Sequence, residues 1–164
     1  MKIHQTILVV SSVVAIAGLG VSTFAKEEKE EVITIDKVPA AVKQALAAYA
    51  KDSEVKKIEL SSEDGKKAYE FDIEQGSNKF EVTLSKKGKF LGKEEEIQLT
   101  DMPAAAQAAL KTQAGSGQLS SFEKAEDAKH KITYEGVIEK DGKKKEVAVD
   151  EDGKLVSTED ADKD

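Results

Sequence analysis

Two stretches in the first half of the chain alternate strictly between apolar and polar residues. In residues 69–74 the apolar side chains are Tyr69, Phe71 and Ile73, and in residues 79–84 they are Phe80, Val82 and Leu84. A period of two with one apolar face is typical of a half-buried antiparallel strand. Gly76-Ser77 separates the two stretches and predicts a hairpin turn.

A different spacing precedes these strands. Residues 40–50 are rich in helix formers, and Pro39 stands at the first turn, where its missing N–H would be unpaired in any case. One apolar stripe has the helical spacing i, i+3, i+4 and i+7 and consists of Val42, Ala45, Leu46 and Tyr49. The pattern therefore predicts one helix followed by a meander of strands.

The whole pattern occurs twice. The only two prolines, Pro39 and Pro103, align at an offset of 64 (103 − 39), and Gly88-Lys89 aligns with Gly153-Lys154 at 65 (153 − 88). The second helix has the smaller apolar face, formed by Met102, Ala106, Ala109, Leu110 and Gln113. Collinear matches at a fixed period indicate an internal repeat. The predicted fold class is α+β, with two tandem modules that each pack one helix on an antiparallel sheet of about four strands.

The N-terminus has the three-part pattern of a secretory signal peptide: Lys2, an uncharged apolar run over residues 7–21, and small residues up to Ala25. An uncleaved membrane anchor is the alternative, although a membrane-spanning helix needs about 20 apolar residues. The predicted organisation is a signal peptide at 1–25, a first module at 26–94, a second module at 95–158 and an acidic disordered tail at 159–164. The charged leader at 26–31 is also expected to be disordered. The predicted location is the periplasm or the extracellular space of a bacterium.

Charge excludes one class of function. The net charge of the chain is −7, and loss of Lys2 with the signal peptide leaves −8 (24 − 32). Nucleic-acid binding needs a positive surface for the phosphates, so this acidic chain, which has no Arg, argues against it. The chain also has no Cys, which removes disulfide and thiolate chemistry and attachment of lipid to an N-terminal Cys.

Several motifs, taken in order, resemble the PepSY-like family, which is also described as β-lactamase-inhibitor-like. They are Val38-Pro39-Ala40-Ala41-Val42, Tyr69-Glu70-Phe71-Asp72-Ile73, Lys79-Phe80-Glu81-Val82-Thr83-Leu84, Tyr134-Glu135 and Val149-Asp150-Glu151-Asp152-Gly153-Lys154-Leu155. The resemblance is to two tandem copies and covers nearly the whole chain after residue 25. It implies an exported bacterial protein with a helix-on-sheet fold and no enzymatic activity, whose relatives bind or restrain other proteins, including peptidases.

The second copy departs from the first at two apolar positions. Gly136 stands where the first copy has Phe71, and Lys145 stands where it has Phe80. The loss of two aromatic side chains would thin the core or open a groove, and a glycine inside a strand can also mark a bulge or close approach of another chain. Tyr69, Tyr134 and Phe122 are expected to be core residues.

Catalytic chemistry has little support in the sequence. His130 is the only histidine after the signal peptide and has no accompanying nucleophile motif, so an exposed loop position is expected. Glu94-Glu95-Glu96 is a charge run of the kind that is usually solvated. Asp150-Glu151-Asp152-Gly153 resembles the start of a calcium loop, but it lacks a convincing distal Glu and is above all a turn. No catalytic, cofactor-binding or metal-binding residue is predicted, and no cofactor is expected.

The predicted function is that of an exported, non-enzymatic protein-binding module that regulates or inhibits a peptidase or another envelope protein. The alternative is a structural envelope protein with weak divalent-cation binding through its acidic surface. A protein partner is expected, without indication of its identity. Nucleic acid and a stable membrane span after signal cleavage are not expected, and the oligomeric state is left open.

Overall fold

Nine strands form one antiparallel sheet in the computed structural model, which describes residues 29–63 and 66–161. Their order in the sheet is their order in the chain. The strands are β1 Lys29–Val32, β2 Glu54–Glu63, β3 Lys66–Gln75, β4 Asn78–Ser85, β5 Phe90–Ile97, β6 Gln118–Asp127, β7 Ile132–Lys140, β8 Lys143–Val149 and β9 Leu155–Asp160. The predicted signal peptide lies outside the described residues.

Two short helices cover one face of this sheet. Helix α1 (Ala40–Leu46) begins after Pro39, and helix α2 (Ala104–Ala114) begins after Pro103; a 3-10 turn precedes each proline. Apolar residues one helical turn apart point from each helix into the sheet and are fully or almost fully buried: Val42 and Leu46 from α1, and Ala106, Leu110 and Ala114 from α2. Within the described residues no helix is long and apolar enough to cross a membrane.

Each helix covers its own hydrophobic core. The first core joins α1 to apolar residues of β2, β3 and β4, with Phe71, Val82 and Leu84 completely buried. The second joins α2 to β7 and β8 and includes Leu110, Ile138 and Val149. The predicted core residues lie here: Tyr69 is buried in the first core, and Phe122 and Tyr134 pack against the second.

The expected α+β fold of two tandem helix-on-sheet modules is wrong, because the two halves share one continuous, mostly β sheet. Strand β5 pairs with β6 through six consecutive residue pairs, from Gly92 opposite Asp127 to Ile97 opposite Phe122. The boundary expected between residues 94 and 95 therefore falls inside β5. An edge strand at that position would leave its N–H and C=O groups unpaired, and pairing with β6 removes that cost.

Both charged ends extend the sheet further than expected. Residues 29–32 of the leader form β1, which pairs with β2, and Glu159 and Asp160 of the acidic tail belong to β9, which pairs with β8. Backbone hydrogen bonds to a neighbouring strand outweigh the local charge, and charged side chains are well tolerated on edge strands.

Two glycine turns fix the sheet to the start of each helix. Gly88 follows β4 with φ +74°, and a Cβ placed there would lie 2.5 Å from the carbonyl oxygen of Ala41 in α1. Gly153 follows β8 with φ +79°, and its Cβ would lie 2.6 Å from the carbonyl oxygen of Ala105 in α2. Only glycine combines this backbone conformation with so close an approach.

Candidate functional site

The face of the sheet opposite the helices carries a field of carboxylates. Side chains alternate between the two faces along each strand. A residue therefore lies on the same face as its direct partner on the neighbouring strand, and the polar residues of β3 and β4 and their partners all lie on this face. We call it the open face and define it by Glu59, Glu70, Asp72, Glu81, Thr83, Glu94, Glu96, Glu123, Glu135 and Glu146. Both helices pack on the other face, against the two cores.

Strand register places these acids in direct opposition. Asp72 of β3 faces Glu81 of β4, which faces Glu94 of β5. A second row runs from Glu96 of β5 through Glu123 of β6 to Glu135 of β7. Like charges directly opposite each other on neighbouring strands repel, so these rows cannot all be ionised without cost.

Burial and the repulsion between neighbouring carboxylates together raise the pKa values of acids on the open face. Burial and, to a smaller extent, the neighbouring carboxylates of Glu81, Glu123, Glu135 and Glu146 raise the pKa of Glu94 to about 10. The same causes, with burial the larger, raise the pKa of Glu81 to about 8. At neutral pH the side chains of Glu94 and Glu81 therefore hold their protons, and the centre of the open face is less negative than its composition suggests.

The pKa values of Glu135 and Asp72, which lie on either side of the central pair, are raised less. Burial and the nearby Glu146 raise the pKa of Glu135 to about 7, although the Thr133 hydroxyl donates a hydrogen bond of 3.1 Å to its carboxylate and opposes the rise. Burial also raises the pKa of Asp72, against the attraction of Lys57. The Lys57 ammonium lies 2.7 Å from the Glu59 carboxylate, so on this side one cation serves both Glu59 and Asp72.

A cavity of about 230 Å³ is lined by residues of strands β2 to β6. The carboxylates of Asp72, Glu81, Glu94 and Glu123 line it. Two cross-strand ion pairs stand at its border, Lys56 with Glu74 at 3.5 Å and Lys79 with Glu96 at 3.9 Å. The cavity therefore brings the protonated acids Glu81 and Glu94 together with the lysine and glutamate side chains of two ion pairs.

The open face is the feature that sequence reasoning missed. The sequence predicts a solvated charge run at Glu94-Glu95-Glu96, but the three side chains have different environments. Glu94 is half-buried on the open face, Glu96 is exposed there, and Glu95 lies on the helix side, 3.1 Å from the Lys93 ammonium. Alternation within the strands is visible in the sequence, whereas the opposition of Glu81 and Glu94 depends on the β4–β5 register.

The other candidates from the sequence, His130 and the Asp150 segment, make contacts that stabilise turns. His130 lies in the exposed β6–β7 turn, as expected, where its ring stacks on Phe90 with centroids 5.5 Å apart and its Nδ1 contacts the Glu126 carboxylate at 2.5 Å. The Asp150 carboxylate accepts hydrogen bonds from the backbone N–H groups of Asp152 and Lys154 at 3.2 and 2.8 Å, which is a closed turn.

No groove opens at the two positions where the second half lacks an aromatic residue. A Cβ at Gly136 would meet Leu110, Leu119 and Phe122 at 3.4 to 3.5 Å, so neighbouring side chains fill that space. Lys145 is exposed on β8. The core loses a ring at Gly136 and recovers the contact from α2 and β6.

Comparisons with known proteins agree with this fold. Residues 24–92 match the family described as "Putative beta-lactamase-inhibitor-like, PepSY-like". No curated protein sequence matches the chain. A BLIP-like protein of Bacteroides fragilis has a similar structure, with 18% identity and a TM-score of 0.60 over 74% of this chain and 85% of that one.

Two further solved structures resemble the chain. A DUF2874 family protein of Bacteroides uniformis has 12% identity and a TM-score of 0.65 over 77% of this chain and 92% of its own. A protein of Bacteroides eggerthii, named among "putative periplasmic proteins", has 14% identity and a TM-score of 0.61 over 75% and 88% of the two chains. The first part of the chain is thus similar to the PepSY-like family, and the fold as a whole is one that these Bacteroides proteins share.

Proposed function

We propose that the protein is an exported, non-enzymatic module that binds another protein of the cell envelope through its open face. One observation carries the proposal. Glu81 and Glu94 are held opposite each other on an uncovered sheet face, where burial and mutual repulsion oppose their ionisation. An ordinary solvated sheet face has no need for such an arrangement, and perturbed acids gather preferentially at functional sites.

The chemistry of the open face favours binding over catalysis. A general acid or base acts beside a nucleophile or a positioned water, but the charged neighbours that affect Glu81 and Glu94 are other acids, and Thr83 lies beside Glu81. His130 belongs to the β6–β7 turn, where it contacts Phe90 and Glu126. A lysine or arginine side chain of a partner would instead stabilise the ionised acids, so binding would release protons.

The exported location is supported by the signal-peptide pattern of residues 1–25 and by the description of the Bacteroides eggerthii protein. The resemblance to inhibitor-like proteins supports regulation or inhibition of a peptidase or another envelope protein as the consequence of binding. The alternative, divalent-cation binding, lacks an observation in its favour, because the described residues contain no group of three or more ligating side chains suited to a metal ion.

Site-directed cross-linking tests which face binds. The chain has no cysteine, so a single cysteine carrying a photoreactive group can replace Glu96 on the open face or Ala108 on the exposed side of α2. We expect a defined adduct with an envelope protein from position 96, abolished by Glu81→Gln with Glu94→Gln, and none from position 108. Equal adducts from both positions, or an adduct that ignores the double substitution, would refute the open face as the binding site.

A further inference from the structure

The lysines of the open face contact acids other than Glu81 and Glu94. Three of them form ion pairs with carboxylates beside the central pair: Lys57 lies 2.7 Å from Glu59, Lys56 lies 3.5 Å from Glu74 and Lys79 lies 3.9 Å from Glu96. Within the part of the chain that the structure describes, no hydrogen bond or ion pair joins a lysine to Glu81 or Glu94. Among these residues, the chain thus supplies no cation to the central pair.

Every neighbouring strand contributes acids to the surroundings of the pair. Those whose negative charges act on Glu81 or Glu94 are Glu59 on β2, Glu70 and Asp72 on β3, Glu123 on β6, Glu135 on β7 and Glu146 on β8. Further charged residues that lie on or reach this face are Glu54, Lys56 and Lys57 on β2, Glu74 on β3, Lys79 on β4, Glu96 on β5, Asp127 on β6, Glu139 on β7 and Lys144 on β8. Acids outnumber lysines in this set, so the face attracts a cation from outside.

The cavity of about 230 Å³ gives such a cation access to the pair. Glu81, Glu94 and Glu123 line it, and the two members of the pair are half-buried. A lysine or arginine side chain of a partner that enters the cavity therefore meets both carboxyl groups. The ionised carboxylate is the form that binds such a side chain through a charge-assisted hydrogen bond.

Protons compete with the cation for these carboxyl groups. Burial and the nearby carboxylates raise the pKa of Glu81 to about 8 and that of Glu94 to about 10, so both groups are protonated in the free protein at neutral pH. A bound cation stabilises the ionised form and lowers these pKa values, so binding expels a proton. Linkage then requires the affinity to rise with pH below the pKa of the free group and to fall as the medium becomes acidic.

We propose that protonation of the Glu81–Glu94 pair controls binding at the open face, so that a lysine- or arginine-bearing segment of the partner binds at neutral to alkaline pH and dissociates in acid. This inference rests on the proposed function, because it assigns the partner to the same face. Carboxyl groups with an ordinary pKa of about 4 are ionised throughout the range from pH 6 to pH 8. A change of affinity within that range therefore reports on groups whose pKa values are raised.

Titration of the full chain with a defined basic peptide tests this coupling. The probe is a capped peptide in which four lysines alternate with four threonines. Calorimetry in two buffers of different ionisation heat gives both its affinity and the number of protons released. We expect the affinity to rise about tenfold or more from pH 6 to pH 8, with about one proton released per peptide at pH 7. Equal affinities at the two pH values would overturn the proposal.

A charge-matched pair of variants assigns the effect to the two acids. Glu81→Gln with Glu94→Gln makes the pair permanently uncharged, whereas Glu151→Gln with Asp152→Asn removes two exposed acids from the β8–β9 turn. Between pH 6 and pH 8 we expect the affinity of the first variant for the peptide to change less than about twofold, and that of the second to keep the full rise. An equal rise in both variants would show that other groups control binding and would refute the proposal.

The cross-linking experiment separates this inference from the proposed function. With the photoreactive group at position 96 and the pair intact, we expect a weaker adduct with the envelope protein at pH 6 than at pH 8. An adduct of equal yield at both pH values would overturn the control by protonation and leave the open face as the binding site. Absence of an adduct at both pH values would overturn the two proposals together.

Discussion

Glu81 and Glu94 face each other across β4 and β5, on the side of the sheet that no helix covers. Burial raises the pKa of both carboxyl groups well above their ordinary value of 4.5. The negative charges of further acids on β3, β6 and β7 raise these pKa values as well. This pair links the fold to the proposed function, because only the continuous sheet brings acids from the two halves of the chain together.

The first prediction concerns Glu94→Gln. At pH 8 the carboxyl group of Glu94 is ionised in the unfolded state and protonated in the folded state, so folding must take up a proton. The substitution keeps the shape of the side chain and removes this requirement, so at pH 8 we expect the free energy of unfolding to rise by roughly 1–3 kcal/mol. Near pH 4 the carboxyl group is largely protonated in the unfolded state too, and the gain should vanish. Urea denaturation at the two pH values measures the difference. Glu96→Gln, on an exposed residue of the same strand and face, is the control and should change stability by less than about 0.5 kcal/mol.

The second prediction is the direction of the pH dependence of the unsubstituted protein. Glu81, Glu94 and Glu135 have raised pKa values of about 8, 10 and 7, so between pH 4.5 and these values the folded state binds more protons than the unfolded state. Stability must therefore fall as the pH rises across that window. The triple glutamine variant should flatten the slope measured from pH 5 to pH 9. A stability that rises over this range would contradict the assignment of these groups.

The third prediction tests whether the sheet unfolds as one unit. Leu84 lies in the first core and Leu110 in the second, and both are completely buried. Replacement of either by alanine should cost about 2–5 kcal/mol. Because β5 and β6 join the halves, each substitution should shift one common transition. Two separable transitions in thermal unfolding would indicate that the halves are independent, and Lys111→Ala on the exposed side of α2 serves as the neutral control.

The fourth prediction compares two glycines in turns. Gly76 and Gly88 both have positive φ, but nothing lies within 4 Å of a Cβ at Gly76, whereas one at Gly88 would lie 2.5 Å from the Ala41 carbonyl oxygen. Gly76→Ala should cost about 1 kcal/mol of backbone strain, and Gly88→Ala should cost clearly more because the turn must also move away from α1. Equal losses in chemical denaturation would show that the close approach contributes nothing to stability.

Local features of this fold can be read from the sequence, and long-range ones cannot. Pro39 with the stripe at Val42 and Leu46 predicts the first helix, and Gly76-Ser77 predicts the β3–β4 hairpin, because both depend on neighbouring residues. The pairing of β5 with β6 joins segments separated by α2. The repeated pattern suggested a boundary there, and only the register shows that Gly92 lies opposite Asp127.

The same distinction explains the open face. The alternation of Glu70 and Asp72 with Tyr69 and Phe71 separates a polar side from an apolar side without knowledge of the fold. The pKa of Glu94, in contrast, depends on carboxylates from β4, β6, β7 and β8, and none of these is a sequence neighbour. A run of three glutamates has the same appearance in the sequence whether its members are solvated or buried.

The identity of chain order and strand order has a consequence for how the molecule forms. Every strand pairs with the one made just before it, and most of these pairs are joined by tight turns, so few contacts require a distant part of the chain. Folding of such a chain has a low contact order and should be fast for a protein rich in β-structure. The sheet can grow from one edge as the chain emerges end first, and its two longest closures are β1 on β2 across α1 and β5 on β6 across α2.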